Sequence, residues 1–95
     1  MAGSEWTEEE NQIVIDAYFD MLHRDRVGRP FVKAAIVRAL QQQLPDRGRT
    51  SIEYKFRNIS AVLDAAGFSY VTGYAPATNY QESLRDLVLA RVTPD

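Results

Sequence analysis

The side chains best suited to binding chemistry are concentrated in residues 47–58. These candidates for ligand contact are Arg47, Arg49, Thr50, Ser51, Tyr54, Lys55, Arg57 and Asn58. Guanidinium, ammonium and hydroxyl groups bind phosphate oxygens, and arginine and asparagine can each make two hydrogen bonds to a base edge in the major groove of DNA. These residue types therefore predict contact with nucleic acid. An ordinary solvated helix face explains the same pattern equally well.

A predicted helix over residues 51–66 would position these side chains. Its apolar residues recur at helical spacing and predict one buried stripe, formed by Ile52, Phe56, Ile59 and Leu63. Thr50 is the expected N-cap, with Glu53 completing a capping box, and Gly67 is expected to end the helix in the left-handed conformation. Lys55 lies at the edge of the opposite face. That face is expected to be open to solvent and carries Tyr54, Arg57, Asn58 and Ala61.

Charge is distributed unevenly along the chain. Residues 1–23 hold six acidic residues and no lysine or arginine, whereas residues 24–57 hold nine basic and three acidic residues. The central third is therefore at +6, although the whole chain is at −2. Local potential governs binding to polyanions more than total charge does, so the basic segment supports the nucleic-acid interpretation. The alternative is that the acidic first helix neutralises the basic segment inside the fold.

Periodicity and capping signals predict an all-α, compact four-helix domain. The predicted helices span residues 8–23, 31–43, 51–66 and 80–92. The whole chain, residues 1–95, is expected to form a single domain, with residues 1–5 and 93–95 disordered.

The ends of the predicted helices have local signals of their own. Thr7 with Glu10, and Asn79 with Glu82, are expected to form capping boxes at the first and fourth helices. The residues from Pro45 to Gly48 would turn the chain tightly into the third helix, as in a helix-turn-helix unit. The second helix is expected to bury Val32, Ile36, Ala39, Leu40 and Leu44.

Several absences narrow the function classes. The chain has no cysteine, which excludes disulfides, cysteine-based zinc sites and thiol nucleophiles. His23 stands alone, so no metal site and no cofactor are predicted. Asp16 and Asp20 could pair their carboxylates on one helix face, but a solvated acidic face is far commoner, and no enzyme is predicted. No apolar segment is long enough to cross a bilayer and no secretory signal is recognised, which predicts a cytoplasmic protein without membrane contact.

Two short motifs give a general resemblance that covers residues 6–63. Trp6-Thr7-x-Glu9-Glu10 opens the first helix, and Gly48-Arg49-Thr50 opens the third helix ahead of Lys55 and Asn58. Together they resemble the three-helix fold of the Myb/SANT type, although the later tryptophans of that repeat are missing. The resemblance implies that the third helix lies in the DNA major groove. SANT-like relatives bind proteins instead.

A longer pattern covers nearly the whole chain. It consists of Ser51-Ile52-Glu53-x-Lys55-x-x-Asn58-Ile59-Ser60-Ala61-Val62-Leu63, then Gly73-Tyr74-x-Pro76-x-x-Asn79-Tyr80-Gln81-x-x-Leu84. This pattern is similar to an N-terminal helical module of bacterial proteins that carry an HNH nuclease or another restriction-associated domain downstream. The resemblance implies a DNA-recognition or targeting module of a restriction or defence nuclease. One histidine and no cysteine cannot build an HNH centre, so the nuclease domain would lie elsewhere in the parent chain.

The leading hypothesis is therefore a non-catalytic module that binds double-stranded DNA. In a narrower version, the loop with Tyr70 and Tyr74 stacks on a modified base. The rival hypothesis is a protein-interaction or dimerisation module that uses the fourth helix or the outer side of the first. Ile15 and Phe19 discriminate between them, because their joint exposure would create an apolar patch typical of a partner site. The oligomeric state and the DNA sequence recognised stay open.

Overall fold

Four helices make up the secondary structure of the computed structural model, which describes residues 5–92. They are α1 (Glu8–Arg26), α2 (Lys33–Gln43), α3 (Arg49–Ala65) and α4 (Glu82–Val92). That part of the chain contains no strand, so the prediction of an all-α, four-helix fold is confirmed. The predicted disorder lies outside the described residues, apart from Glu5, whose carbonyl oxygen accepts a hydrogen bond from Arg47.

Local hydrogen bonds define both ends of α1. At its start, the Thr7 hydroxyl accepts from the Glu10 N–H at 3.1 Å and the Glu10 carboxylate accepts from the Thr7 N–H at 3.0 Å, which confirms the predicted capping box. At its end, Gly28 has a φ of +74°, and the Arg29 N–H donates to the Arg24 carbonyl oxygen at 2.8 Å. The helix therefore continues three residues beyond its predicted end, until a glycine can adopt the left-handed conformation.

The predicted end of α3 is confirmed, whereas its predicted start is wrong. Gly67 follows the helix with a φ of +86° and closes it as expected. The N-cap is Gly48 rather than Thr50, and no side chain caps the helix. Thr50 lies inside the first turn, so its predicted capping box with Glu53 does not form, and Glu53 pairs with Arg49.

The second helix also begins later than predicted. Val32 is its N-cap, in extended conformation, and is 65% exposed. Ala39 is exposed as well, so the expected burial of these two residues is wrong. The residues of this segment that enter the core are Val37, Leu40 and Leu44.

The fourth helix starts at Glu82, two residues later than predicted. Asn79 therefore precedes the helix and is not its cap. It belongs to a segment, residues 75–80, that packs back against α3 instead of extending α4.

The core is built around α3, which packs against the other three helices. Its predicted stripe is fully buried and comprises Ile52, Phe56, Ile59 and Leu63. The hydroxyl of Tyr18 in α1 lies 2.8 Å from Ser60 Oγ and accepts a hydrogen bond from the Val71 N–H at 2.9 Å. Because buried polar groups are costly without partners, these bonds fix the loop after α3 relative to α1 and α3.

Candidate functional site

The first half of α3 has an exposed face, which we call the outer strip. The strip consists of Arg49, Thr50, Ser51, Tyr54 and Arg57. The Arg57 guanidinium lies 5.8 Å from the centre of the Tyr54 ring, and its Nε donates to the Ala75 carbonyl oxygen at 3.0 Å. Arg49 forms an exposed ion pair with Glu53 at 3.3 Å. The strip therefore offers cations, hydroxyls and one aromatic ring to a ligand.

The predicted outer face does not continue beyond Arg57. Asn58 and Ala61 are only 2% and 3% exposed. The Asn58 Nδ2 donates to the Ala77 carbonyl oxygen at 2.7 Å, and the Ala77 N–H donates to the Arg57 carbonyl oxygen at 3.1 Å. The expectation that Asn58 and Ala61 face solvent is therefore wrong, because helical periodicity does not show which segment packs back on a helix.

Arg47 is directed towards α1 rather than towards the outer strip. Its Nη2 and Nε donate to the Glu10 carboxylate at 2.7 and 3.1 Å, and its guanidinium carbon lies 4.6 Å from the Trp6 ring centre. The hydrogen bonds between them hold the pKa of Glu10 below its usual value and the pKa of Arg47 above its usual value. At this position, α1 does neutralise part of the basic segment.

Lys55 is more deeply buried than its place at the edge of the helix face suggests. It is 8% exposed, and its Nζ lies 5.1 Å from the centre of the Trp6 ring. Within residues 5–92 it forms no hydrogen bond and no ion pair. Burial first, and the nearby Arg47 charge second, lower the pKa of the Lys55 ammonium. Since buried charges are generally paired, this cation is a strong candidate for binding an external anion.

A pocket of about 470 Å³ opens beside this lysine, and we call it the Lys55 pocket. Five of the eight predicted site residues line it, namely Thr50, Ser51, Tyr54, Lys55 and Asn58. It is completed by Trp6, Asn79, Tyr80 and Gln81. Among the described residues that line the pocket, none is acidic. The pocket thus combines aromatic rings, amides and hydroxyls with one ammonium group.

Four of these lining residues are not among the candidates predicted from the sequence. Trp6 is far from α3 in the chain, and residues 79–81 follow α3 after a long loop, so only the fold brings them together. Trp6 directly precedes a capping box, a pattern typical of a structural aromatic. Asn79 with Glu82 has the pattern of a helix cap. The one feature of the sequence that could have indicated these pocket residues is the alternation of amide, aromatic and amide side chains from Asn79 to Gln81.

The start of α3 supplies unpaired backbone donors at the edge of the Lys55 pocket. Gly48 provides an N-cap without a side chain, and the first turn contains no acidic residue. The first N–H groups of a helix have no acceptor within it, and together with the helix dipole they favour anions. Thr50 and Ser51 are both exposed and add hydroxyl donors at this end.

Other candidates from the sequence do not form a second site. Asp16 pairs with Arg91 at 2.7 Å and Asp20 pairs with Arg24 at 3.1 Å, so each carboxylate faces its own cation. Across residues 5–92, no group of three or more His, Cys, Asp or Glu residues could hold a metal ion. None of the helices described combines the length and the apolar character needed to cross a membrane.

The structure bears on the sequence discriminator at Ile15 and Phe19 and on the hypothesis that Tyr74 stacks on a base. Ile15 is fully buried and Phe19 is partly buried, so they do not form the exposed patch expected of an interaction module. The Tyr74 ring packs 5.1 Å from Phe56 and 5.1 Å from the Lys33 ammonium, and only 5% of the residue is exposed. Its burial raises the pKa of Tyr74 to about 12. Tyr74 is therefore not available to stack on a base.

No protein-family model, curated protein or solved structure matches this chain. The functional argument consequently depends on the outer strip and the Lys55 pocket.

Proposed function

We propose that the domain is a non-catalytic module that binds double-stranded DNA through the outer strip of α3. The supporting observation is that the start of α3 lacks both a capping side chain and an acidic first turn and carries the exposed residues Arg49, Thr50 and Ser51. Arg57 is exposed about two turns further along the helix. Free backbone N–H groups, arginines and hydroxyls at a helix start all bind phosphate oxygens. The strip is thus suited first to the DNA backbone.

Base recognition would involve fewer residues than the sequence suggests. The Asn58 amide nitrogen is engaged with Ala77, which leaves Tyr54 and Arg57 to extend from the strip. An arginine paired with guanine contributes about 1–3 kcal/mol of discrimination. Backbone contacts alone give non-specific dissociation constants of ~10⁻⁴–10⁻⁶ M at physiological salt. The isolated domain is therefore expected to bind weakly.

The wider context is also part of the proposal and is supported by the sequence resemblance alone. In this context α2 and α3 act as a helix-turn-helix-like unit, and the domain targets a restriction or defence nuclease. A downstream nuclease domain in the parent chain would supply catalysis and, by tethering, raise the effective concentration of the module at its site. A preference for modified DNA has no support from the buried Tyr74.

A salt titration on blunt duplex DNA tests the proposal. The informative variant is the double substitution Arg49→Ala and Arg57→Ala, compared with Arg85→Ala and Arg91→Ala, which removes two charges from α4. Each phosphate contact contributes about 0.9 to the slope of log affinity against log salt. We expect the α3 variant to lose affinity and about two units of slope, and the α4 variant to retain both. Equal behaviour of the two variants would overturn the proposed surface.

A further inference from the structure

We propose that the Lys55 pocket is a subsite for one 5′-phosphorylated nucleotide, whose phosphate lies between Lys55 and the start of α3 and whose base stacks on the aromatic wall. The proposal deepens the proposed function, and its strand-end form rests on that function, because the pocket adjoins the outer strip that would carry DNA. The nucleotide is either free or an unpaired residue at the end of a DNA strand.

Lys55 is the first argument, because it is a largely buried cation whose ammonium lies beside an aromatic ring and has no anion bonded to it in the described chain. Within the described residues it has neither a carboxylate partner nor a hydrogen-bond acceptor. The nearest acidic group on α1, Glu10, is already bound by Arg47 through two hydrogen bonds. The ammonium nitrogen is not among the unpaired polar atoms that are closed to solvent, and Lys55 lines the pocket. A phosphate there would supply the missing counter-charge through a charge-assisted hydrogen bond.

The helix start is the second argument, and it is independent of the lysine. Gly48 leaves the first amides of α3 without a capping side chain. Thr50 and Ser51 line the same pocket as Lys55, so two hydroxyl residues from the start of the helix and one lysine border the same volume. Such a combination of groups at a helix N-terminus is a general solution for binding phosphate.

The aromatic wall determines what is attached to the phosphate. Trp6, Tyr54 and Tyr80 line the pocket together, and aromatic side chains of this kind stack on nucleobases irrespective of sequence. The volume of about 470 Å³ is in the range typical of small-ligand sites. Asn79 and Gln81 are exposed amides on the same wall, and amides can pair with the polar edge of a base. These amides favour a nucleotide over a phosphorylated tyrosine, whose ring has no such edge.

The fluorescence of Trp6, the sole tryptophan in the sequence, reports directly on this pocket. The probes are deoxynucleoside 5′-monophosphates, the matching nucleosides, inorganic phosphate and O-phosphotyrosine. We expect saturable quenching by the monophosphates, with affinity about tenfold or more above that of the nucleosides, since a hydrogen bond to a charged group is lost in the latter. Equal affinity for nucleoside and nucleotide, or binding of phosphotyrosine alone, would overturn the proposal.

Two lysines allow a matched pair of variants. Lys55→Met keeps the apolar stem and removes the charge, and it should reduce mononucleotide affinity by about tenfold or more. Lys33→Met removes the other lysine, whose ammonium bonds to the Thr72 carbonyl oxygen away from the pocket, and should leave affinity unchanged. Tyr54→Ser changes an exposed wall residue and provides a second, surface variant, for which weaker nucleotide binding is expected. Unchanged binding by both pocket variants would refute the site.

The source of the nucleotide and the relation to duplex binding are resolved with wild-type protein. Tighter binding of a 5′-phosphorylated single strand than of its 5′-hydroxyl counterpart would assign the pocket to strand ends. Equal binding of the two strands, together with binding of mononucleotides, would assign the pocket to free nucleotides. Binding of blunt duplex without mononucleotides would overturn the subsite and leave the proposed function intact. Mononucleotide binding without duplex binding would overturn the proposed function and leave the subsite intact.

Discussion

The two halves of α3 are surrounded very differently. From Asn58 to Leu63, six consecutive residues are buried, so the helix is enclosed on every side. From Arg49 to Arg57, only Ile52, Lys55 and Phe56 are buried. The second half is covered by α1 through Tyr18, by the segment of residues 75–80 and by α4. The first half has the core beneath it and is bordered by Trp6 and by residues 79–81 around the Lys55 pocket.

This difference shows why one helix can serve as both scaffold and binding surface. Buried hydrogen bonds of the enclosed half fix α1 and the segment of residues 75–80 relative to α3, and solvent cannot replace these bonds. The open half keeps an N-terminus without a capping side chain and exposes Arg49, Thr50, Ser51 and Arg57 to solvent. Substitutions in the second half should therefore change stability, and substitutions in the first half should change binding.

The largest expected contrast is between two neighbouring residues at the boundary. Both residues donate hydrogen bonds to backbone carbonyls of the same segment: Asn58 bonds to Ala77 at 2.7 Å and more weakly to Asn79 at 3.5 Å, and Arg57 bonds to Ala75 at 3.0 Å. Asn58→Ala leaves a buried carbonyl without its donor and should lower the free energy of unfolding by about 1–3 kcal/mol. Arg57→Ala removes an exposed hydrogen bond and should change the free energy of unfolding by no more than about 0.5 kcal/mol.

Urea denaturation with a common m-value measures both variants on one scale. Equal losses for Asn58→Ala and Arg57→Ala would show that the boundary between the two halves of α3 is misplaced.

The sequence predicts the helices well because their signals are local. The Thr7–Glu10 capping box, the apolar stripe of α3 and the terminal Gly67 each depend on residues within a few positions of one another, and all are observed. The predicted N-cap at Thr50 fails because Gly48 can also begin a helix when its backbone is extended. Local competition of this kind moves a boundary without changing the fold.

The candidate site is less predictable because its assembly is not local. Exposure of Asn58 depends on a segment about 20 residues later in the chain. The partner of Arg47 and the ring beside Lys55 come from the region around α1, more than 35 residues earlier. Residue type and spacing identified the right stretch of α3, but only tertiary packing shows which side chains remain open.

Lys55 provides a second test, with an expected change in stability of opposite sign. Because its folded-state pKa is lowered, protonating it opposes folding at neutral pH, and Lys55→Met should stabilise the unliganded domain. As pH rises towards 10.5, the usual pKa of lysine, the wild type should become more stable relative to the variant. The reason is that Lys55 releases its proton at a lower pH in the folded protein than in the unfolded chain.

The gain from Lys55→Met should be smaller than the loss from Asn58→Ala. Lys33→Met is the matched control and should destabilise, because it removes the bond to the Thr72 carbonyl oxygen. Denaturation at several pH values measures both variants. A destabilising Lys55→Met, or a stability difference from wild type that widens with pH, would show that contacts within the domain, such as the Trp6 ring, already offset the cost of burying the ammonium.

A change in stability as small as that of Arg57→Ala is expected at Arg49, also in the open half. Its ion pair with Glu53 is exposed, so Arg49→Ala should lower the free energy of unfolding by only about 0.3–0.5 kcal/mol. The same variant should reduce the salt slope of duplex binding by about one unit, as expected for one phosphate contact. Glu53→Gln breaks the same ion pair but leaves the arginine charge, so it should match Arg49→Ala in stability and retain the full slope. If Glu53→Gln weakened DNA binding as much as Arg49→Ala does, the salt slope would report on the conformation of the helix rather than on a phosphate contact. The division of α3 into scaffold and binding halves would then no longer hold.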